Sequence, residues 1–322
     1  MRFELPCLVL AAVALSASAI VSAQAYPTKP IRLVVPYPPG GGTDIIGRVV
    51  AQKLTDAFAQ QVVVDNRGGA GGIIGTEIVA RSPADGYTLL MAPTSHVINP
   101  SIYSKLPYDT LKDFAPLTLA ASATIVLATH PSVPVKSVKE LIAHAKAKPG
   151  ELTFGSAGNG TVFHLAGELF KRQAGIDMVH VPFKGGGPTV ASLAGGQISA
   201  AFETMLALSP HIKSGKVRGL AITSSRRSSV MPDLPTTVEL GFPGIVAENW
   251  YGFYAPTGTP KPVITRLNAE LVKSLRQTEV KERFQSLGTE VIGTTPEQLD
   301  GYVRKELAKW SKTAREAGAH VE

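Results

Sequence analysis

The sequence is almost without cysteine. Cys7 is the only one among 322 residues, and it lies in an apolar leading segment. The rest of the chain therefore has no means to form a disulfide, to use a thiolate nucleophile or to bind a metal through cysteine. The seven histidines are dispersed, without an H-E-x-x-H pattern or the paired spacing of a zinc site. We expect neither a metal nor a cofactor.

Long hydrophobic runs are also lacking. Residues 8–21 are apolar or small, but about 14 residues in a helix do not span the roughly 30 Å hydrocarbon core of a bilayer. The segment is followed by Ala23-Gln24-Ala25, which fits the A-x-A rule for signal-peptide cleavage. We therefore predict a signal peptide over residues 1–25, a mature protein that begins at Tyr26, and a periplasmic location.

The charge pattern lacks any concentrated basic stripe. Lysine and arginine outnumber acidic residues by 32 to 25, for a formal net charge of +7, but they are scattered singly. We therefore expect no nucleic-acid partner. A positive balance either steers anionic ligands toward the protein or serves solubility alone. With 44% hydrophobic residues the chain is long enough for two cores, and we expect a monomer.

Short β-branched runs alternate with helical patterns after Tyr26, an order typical of parallel strands connected by crossover helices. Two such sets occur, one over residues 31–91 and one over 138–202, and the part from Lys261 on is mostly helical. The fold class is α/β with two domains, and the chain crosses between them near 124–133 and 249–259. We predict domain I from residues 26–125 and 251–322, and domain II from 126–250. A double crossing makes a hinge with a ligand cleft between the domains.

Three segments share one plan, in which a strand is followed by a glycine-rich turn and the start of a helix. They are PYPPGGGTD at 36–44, GSAGNGT at 155–161 and KGGGPT at 184–189. The first N–H groups of a helix lack internal partners at its positive dipole end, and glycine lets a ligand approach that backbone. Each loop alone is compatible with an ordinary tight turn. Three of them, from both predicted domains, indicate a shared anion site.

These loops do not match nucleotide or catalytic motifs. None contains the G-x-x-x-x-G-K-[ST] of a P-loop, and the glycines of residues 69–75 have the spacing G-x-G-x-x-x-G rather than that of a dinucleotide fingerprint. Ser156 lacks the first glycine of a G-x-S-x-G nucleophile elbow. His164 precedes Glu168 by four residues, and it either braces the loop or contacts a ligand. We expect no enzymatic activity.

Several long segments occur in a fixed order, among them YPTKPIRLVVPYPPGGGTD, VVVDNRGGAGGIIGTEIVA, FGSAGNGTVFHLAGELFK, VPFKGGGPTVASLAGGQI and WYGFYAPTGTPKPVITRLN. Through them the chain resembles the substrate-binding proteins of tripartite tricarboxylate transporters, the Bug family. The resemblance implies a type II periplasmic-binding-protein fold whose domains close on a small organic carboxylate, and delivery of that ligand to membrane permease subunits. A periplasmic sensor that presents the ligand to a signalling partner is the alternative.

The resemblance also implies the ligand-binding residues, which are Tyr37, Pro39, Gly42, Thr43, Ser156, Asn159, Thr161, Lys184, Gly186 and Glu203. Tyr37 stands where phenylalanine is more usual in the family, so its hydroxyl offers the ligand an additional polar contact. Glu203 stands where aspartate is frequent, at the end of the predicted strand 198–202. It either faces the cleft and disfavours a second ligand carboxylate, or pairs with a nearby lysine or arginine.

Overall fold

The computed structural model describes residues 26–318, and the predicted signal peptide at 1–25 lies outside them. The strands are β1 (Ile31–Val35), β2 (Val62–Asn66), β3 (Thr88–Pro93), β4 (Phe114–Thr129), β5 (Thr153–Ser156), β6 (Val179–Pro182), β7 (Ala200–Thr204), β8 (Arg218–Ile222), β9 (Glu248–Pro256) and β10 (Thr289–Val291). The helices are α1 (Gly42–Phe58), α2 (Ile73–Ala80), α3 (Ser95–Ile102), α4 (Val138–Ala147), α5 (Val162–Ala174), α6 (Gly186–Ala194), α7 (Met205–Lys213), α8 (Lys261–Leu275), α9 (Thr278–Gln285) and α10 (Pro296–Ala317). A single 3-10 turn, Ala70–Gly72, precedes α2.

Strands of residues 26–318 form one sheet in the order β2-β1-β3-β9-β4-β7-β5-β6, and β8 and β10 each pair with β4. We call β2, β1, β3 and β9 the first half-sheet, and β7, β5 and β6 the second half-sheet. In the first, β1 runs parallel to β2 and β3. In the second, β5 runs parallel to β6 and β7. The predicted alternation of parallel strands and crossover helices is therefore present in both halves.

Strand β4 joins the two half-sheets. Its first part pairs antiparallel with β9, from Phe114 opposite Pro256 to Thr124 opposite Glu248. Its last five residues pair with β7 on one side and lie beside β8 on the other. The predicted crossings at 124–133 and 249–259 thus fall largely within these two long, paired strands rather than in free linkers. The domain boundaries themselves stay a prediction.

The helices after β9 cover the first half-sheet, as their apolar stripes predict. Leu267 and Leu271 of α8 are fully buried in the same cluster as Ile46 and Leu54 of α1. Helix α10 is fixed to β9 through Glu306, whose Oε2 accepts hydrogen bonds from the indole nitrogens of Trp250 at 3.1 Å and Trp310 at 2.7 Å. Among residues 26–318, no helix combines the length and the apolar character needed to cross a membrane.

This topology brings strand ends and helix starts together. β1, β3, β5 and β7 are each followed in the chain by a helix, respectively α1, α3, α5 and α7. The amino ends of crossover helices lie at the carboxyl ends of parallel strands, where ligands bind in open α/β sheets. The first and second glycine loops lie at two of these junctions, and the third lies between β6 and α6.

Candidate functional site

The glycine loops of the two half-sheets meet around one small cavity, which we call the loop cavity. Its volume is about 20 Å³, enough for a water molecule but not for an organic acid. It is lined by Tyr37, Gly41, Gly42, Thr43, Pro93, Ser95, Ala157, Thr161, Val162, Phe163, Gly186, Glu203 and Asn249. Residues from both half-sheets therefore surround one space.

The first residues of four helices line this cavity. Gly42 begins α1, Ser95 begins α3, Val162 begins α5 and Gly186 begins α6. Each helix N-terminus carries a partial positive charge of about half an elementary charge, with amide hydrogens that have no carbonyl partner inside the helix. Four such ends directed at one space make it favourable for an anion.

The first and third loops approach each other closely because glycines face one another where they meet. An ideal Cβ placed on Gly41 would lie 3.3 Å from the Cα of Gly186 and 3.3 Å from the backbone nitrogen of Gly187. Gly40 has φ of +89°, a conformation that side chains with a Cβ rarely adopt. The backbones of the first and third loops consequently touch with no side chain between them.

Asp44 holds the first loop in shape. Its buried carboxylate accepts hydrogen bonds from the backbone nitrogen of Gly40, from Arg48 Nε and from Asn66 Nδ2, each at 3.0 Å. Arg48 lies one helical turn further on and is half exposed. The carboxylate thus faces its own loop and helix, where it also complements the α1 dipole.

Tyr37 is almost fully buried, and its hydroxyl is bonded within the protein. The hydroxyl donates to the carbonyl of Gly71 at 2.8 Å, which leaves Ser95 to donate to the Tyr37 oxygen at 2.8 Å. Burial raises the phenol pKa well above its usual value. The predicted polar contact from this hydroxyl therefore goes first to Gly71 and Ser95, and the tyrosine ties the first loop to α3.

The second loop is fixed by its own serine and threonine. Thr161 caps α5 by accepting from the backbone nitrogen of His164 at 3.4 Å, and its hydroxyl donates to the Gly158 carbonyl at 2.7 Å. Ser156 Oγ lies 2.7 Å from His180 Nε2 and accepts from the nitrogen of Gly158 at 3.2 Å. Ser156 is fully buried, and its hydroxyl is engaged by β6 and the loop.

The Ser156–His180 pair does not have the properties of an activated nucleophile. Burial, together with the neighbouring His164 and Lys171, lowers the pKa of His180 to about 3. A general base works best with a pKa near the working pH. A histidine of such low pKa is a weak base, so the pair fits a structural role for Ser156.

His164, Glu168 and His180 form a further group that the dispersed histidines did not predict. The two imidazole rings stack with centroids 4.3 Å apart, and one ligand-type atom from each residue lies within 4.8 Å of the others. Lys171 Nζ is 3.1 Å from the Glu168 carboxylate, and Ser156 holds His180. The ammonium group therefore already balances this carboxylate, and the His164 ring stacks on the imidazole that is bonded to Ser156.

Glu203 faces the loop cavity as a fully buried acid. Its Oε1 accepts from the backbone nitrogen of Thr204 at 2.8 Å and from the Thr204 hydroxyl at 3.1 Å. In the described part of the chain Oε2 has no hydrogen-bond partner. Burial raises the pKa of this carboxyl to about 7, against the lowering effect of Thr204. Its contacts within residues 26–318 include no lysine or arginine, contrary to the ion-pair alternative.

The structure brings six of the ten predicted residues to the loop cavity, namely Tyr37, Gly42, Thr43, Thr161, Gly186 and Glu203. Four do not line it, namely Pro39, Ser156, Asn159 and Lys184. Pro39 and Lys184 are exposed, while the Asn159 carbonyl accepts from Tyr103 at 3.4 Å.

A side chain at Gly42 would overlap the buried Tyr251 hydroxyl, so variants there test folding as well as binding.

Sequence reasoning missed other residues that line the cavity, among them Gly41, Ser95 and Asn249. Ser95 begins a helix directly after β3. The connection from β3 to α3 is of the same kind as the glycine loops, a strand followed by the start of a helix, but it contains no glycine. Asn249 lies on β9, whose position beside β3 depends on pairing across the chain.

A model of the family described as the tripartite tricarboxylate transporter family receptor matches residues 46–319. The chain belongs to this receptor family. The protein BugT of Bordetella pertussis is 42% identical to it over 306 residues, which cover 94% of each chain. The family predicted from the sequence segments is therefore confirmed.

Solved structures of related receptors have the same fold. The periplasmic binding protein BugD matches with a TM-score of 0.90 and 33% identity, over 92% of this chain and 100% of that one. Rpa4515 of R. palustris, solved with adipate, matches with a TM-score of 0.89 and 35% identity, over the same shares. The predicted α/β fold of the type II periplasmic binding proteins is confirmed.

Proposed function

We propose that the protein is a periplasmic receptor that closes its two half-sheets on a small organic carboxylate and delivers it to the permease subunits of a tripartite transporter. The observation that carries this proposal is the convergence of four helix N-termini, from both half-sheets, on the loop cavity. A carboxylate that accepts hydrogen bonds from these amides links the halves. The adipate bound by Rpa4515 supports an organic acid as the ligand class.

Recognition through the backbone explains the residue types at the site. Glycine gives a carboxylate direct access to amide hydrogens, and hydrogen bonds to an ionised acceptor are about twice as strong as neutral ones. Lys184 is exposed and does not line the cavity. The ligand charge is therefore stabilised by helix dipoles and N–H groups rather than by an ion pair.

Binding requires the half-sheets to separate and close. A cavity of about 20 Å³ does not admit an organic acid, so the first and third loops must part to let the ligand enter. β4 runs from the first half-sheet to the second, which lets it act as a hinge. Closure then buries the carboxylate among the helix ends.

A ligand screen tests the proposal. Mature protein purified from the periplasm is heated with linear mono- and dicarboxylates, and a ligand at 100 times its Kd adds about 2.7 kcal/mol of stability. Native mass spectrometry of the untreated protein identifies a retained ligand. Absence of any carboxylate from both measurements would contradict the receptor function, as would steady turnover of a bound acid.

Delivery to a transporter is tested separately. Tagged receptor loaded with the best acid from the screen is crosslinked in intact cells, and the captured membrane protein is identified. We expect permease subunits. Capture of a kinase ectodomain instead would favour the sensor function.

A further inference from the structure

We propose that Glu203 determines ligand specificity, and that the receptor selects a monocarboxylate bearing a hydrogen-bond donor, a hydroxyl or an ammonium group, over a dicarboxylate. This inference rests on the proposed receptor function and concerns the same cavity. The ligand carboxylate lies at the helix N-termini, and the donor at its other end bonds to Glu203 Oε2.

Glu203 Oε2 lies against the start of α6. Gly186 begins α6 and lines the cavity beside Glu203, and a Cβ on Gly186 would lie 2.6 Å from Oε2. This oxygen therefore faces the backbone of the third loop, within the cavity wall. Only a residue without a side chain leaves room there.

The two oxygens of the Glu203 carboxyl differ in their hydrogen bonds. Oε1 accepts both hydrogen bonds that Thr204 offers, while Oε2 is buried and unpartnered among residues 26–318. A buried acceptor left without a donor is unfavourable by about 1–3 kcal/mol, and more when it is charged. A ligand that supplies the donor removes this penalty when it binds.

A second carboxylate on the ligand would be repelled by ionised Glu203. Two like charges brought together in a buried site disfavour ionisation of one of them, so a carboxylate near Glu203 binds only if a proton is taken up. An ammonium group has the opposite effect and favours the ionised form. Dicarboxylates and amino acids of equal length therefore bind with opposite proton linkage.

The groups that face Glu203 do not replace it in this role. Tyr37 from the first loop and Tyr251 from β9 are both buried, and burial raises their phenol pKa values, with a smaller contribution from the charge of Glu203. Thr204 is a neutral donor that is already bonded. Lys184 of the third loop is exposed. Glu203 is thus the acidic group of the cavity wall that titrates near neutral pH.

The test uses two probe sets of fixed length: succinate, 4-hydroxybutanoate, 4-aminobutanoate and butanoate, and the corresponding six-carbon acids. Calorimetry gives Kd for the mature protein, for Glu203→Gln, and for Glu282→Gln, a control with the same charge change at an exposed position of α9. Within a set, we expect the donor-bearing acid to bind about 10- to 100-fold more tightly than the dicarboxylate. We expect Glu203→Gln to lose this preference and Glu282→Gln to keep it.

The pH profile of the unmodified protein is a second readout that needs no variant. Between pH 6 and 8, affinity for the amino acid should rise with pH, because binding favours ionised Glu203, and affinity for the dicarboxylate should fall. An unchanged preference in Glu203→Gln, or parallel pH profiles for the two acids, would overturn the specificity role and leave the receptor function intact. Failure of every acid to bind would overturn the receptor function and this inference with it.

Discussion

Contact between Gly41 and the third loop provides a sharp test of closure. Gly41 has φ of −87° and ψ of 169°, which any residue adopts without strain. A Cβ at this position would nevertheless lie 3.3 Å from the Gly186 Cα and the Gly187 nitrogen, inside the usual contact distance of about 3.5–4.0 Å. Gly41→Ala therefore opposes closure of the two loops through a contact that is absent once the loops have parted.

The size of the effect follows from this overlap. Overpacking by one methyl group costs about 1–3 kcal/mol in a well-packed contact, which corresponds to about 5- to 150-fold weaker binding if only the closed form holds the ligand. Gly41 is also the N-cap of α1, and alanine is a poor cap. Gly41→Ser adds the same Cβ but keeps a favourable cap, so it separates closure from helix stability.

The assay is calorimetry with the best carboxylate from the screen, together with urea denaturation. Gly301→Ala is the matched control, because a Cβ at Gly301 meets open space in the interior of α10. It should stabilise the fold by about 0.5–1 kcal/mol and leave Kd unchanged. Folded Gly41→Ala and Gly41→Ser proteins with unaltered Kd would refute closure through this contact.

Three further predictions concern the free energy of unfolding, measured with urea. Asp44→Ala should lower it by about 2–3 kcal/mol, because the Gly40 amide, Arg48 and Asn66 lose their acceptor; Asp44→Asn should lower it less. Glu306→Ala should lower it by roughly 2–4 kcal/mol, since two buried indole N–H groups lose their partner. Burial lowers the pKa of His96 to about 3 in the folded protein, against about 6.5 in the unfolded chain. The stability that neutral His96 contributes is therefore present above pH 6.5 and is lost as the pH falls. Between pH 6.5 and 5, protonation of His96 in the unfolded chain should lower the free energy of unfolding by about 2 kcal/mol, and His96→Phe should abolish that loss.

The parts of the fold that were predicted from the sequence are local. A strand, a glycine turn and a helix start lie within about fifteen residues of each other, so the first and second loops were visible without knowledge of the rest of the chain. Their occurrence in both predicted domains indicated a shared anion site, and the family resemblance implied the same. The structure places Gly42, Thr161 and Gly186 at one cavity.

Other elements depend on contacts between distant segments. The helix α3 contains Pro100 in its interior, and since proline usually kinks or ends a helix, the run PTSHVINP does not by itself indicate one. β4 is buried along most of its length, and its residues 125–128 are continuously apolar, because both faces of the strand are covered there. His180 meets Ser156 only through the register of β5 with β6, which no local pattern specifies.

Under the proposed receptor function, the same geometry makes closure depend on an anion. Bringing four helix N-termini to one cavity concentrates partial positive charge, and bringing Gly41 against Gly186 gains only the small dispersion energy of backbone atoms. A bound carboxylate changes this balance, since it accepts hydrogen bonds from both sides and neutralises the helix ends together. Glu203 supplies one negative charge in the cavity wall, but Thr204 already holds its Oε1. In the proposed binding cycle, the ligand therefore contributes the free energy that makes the closed form stable, and the glycine loops make that contribution available by leaving their amides uncovered.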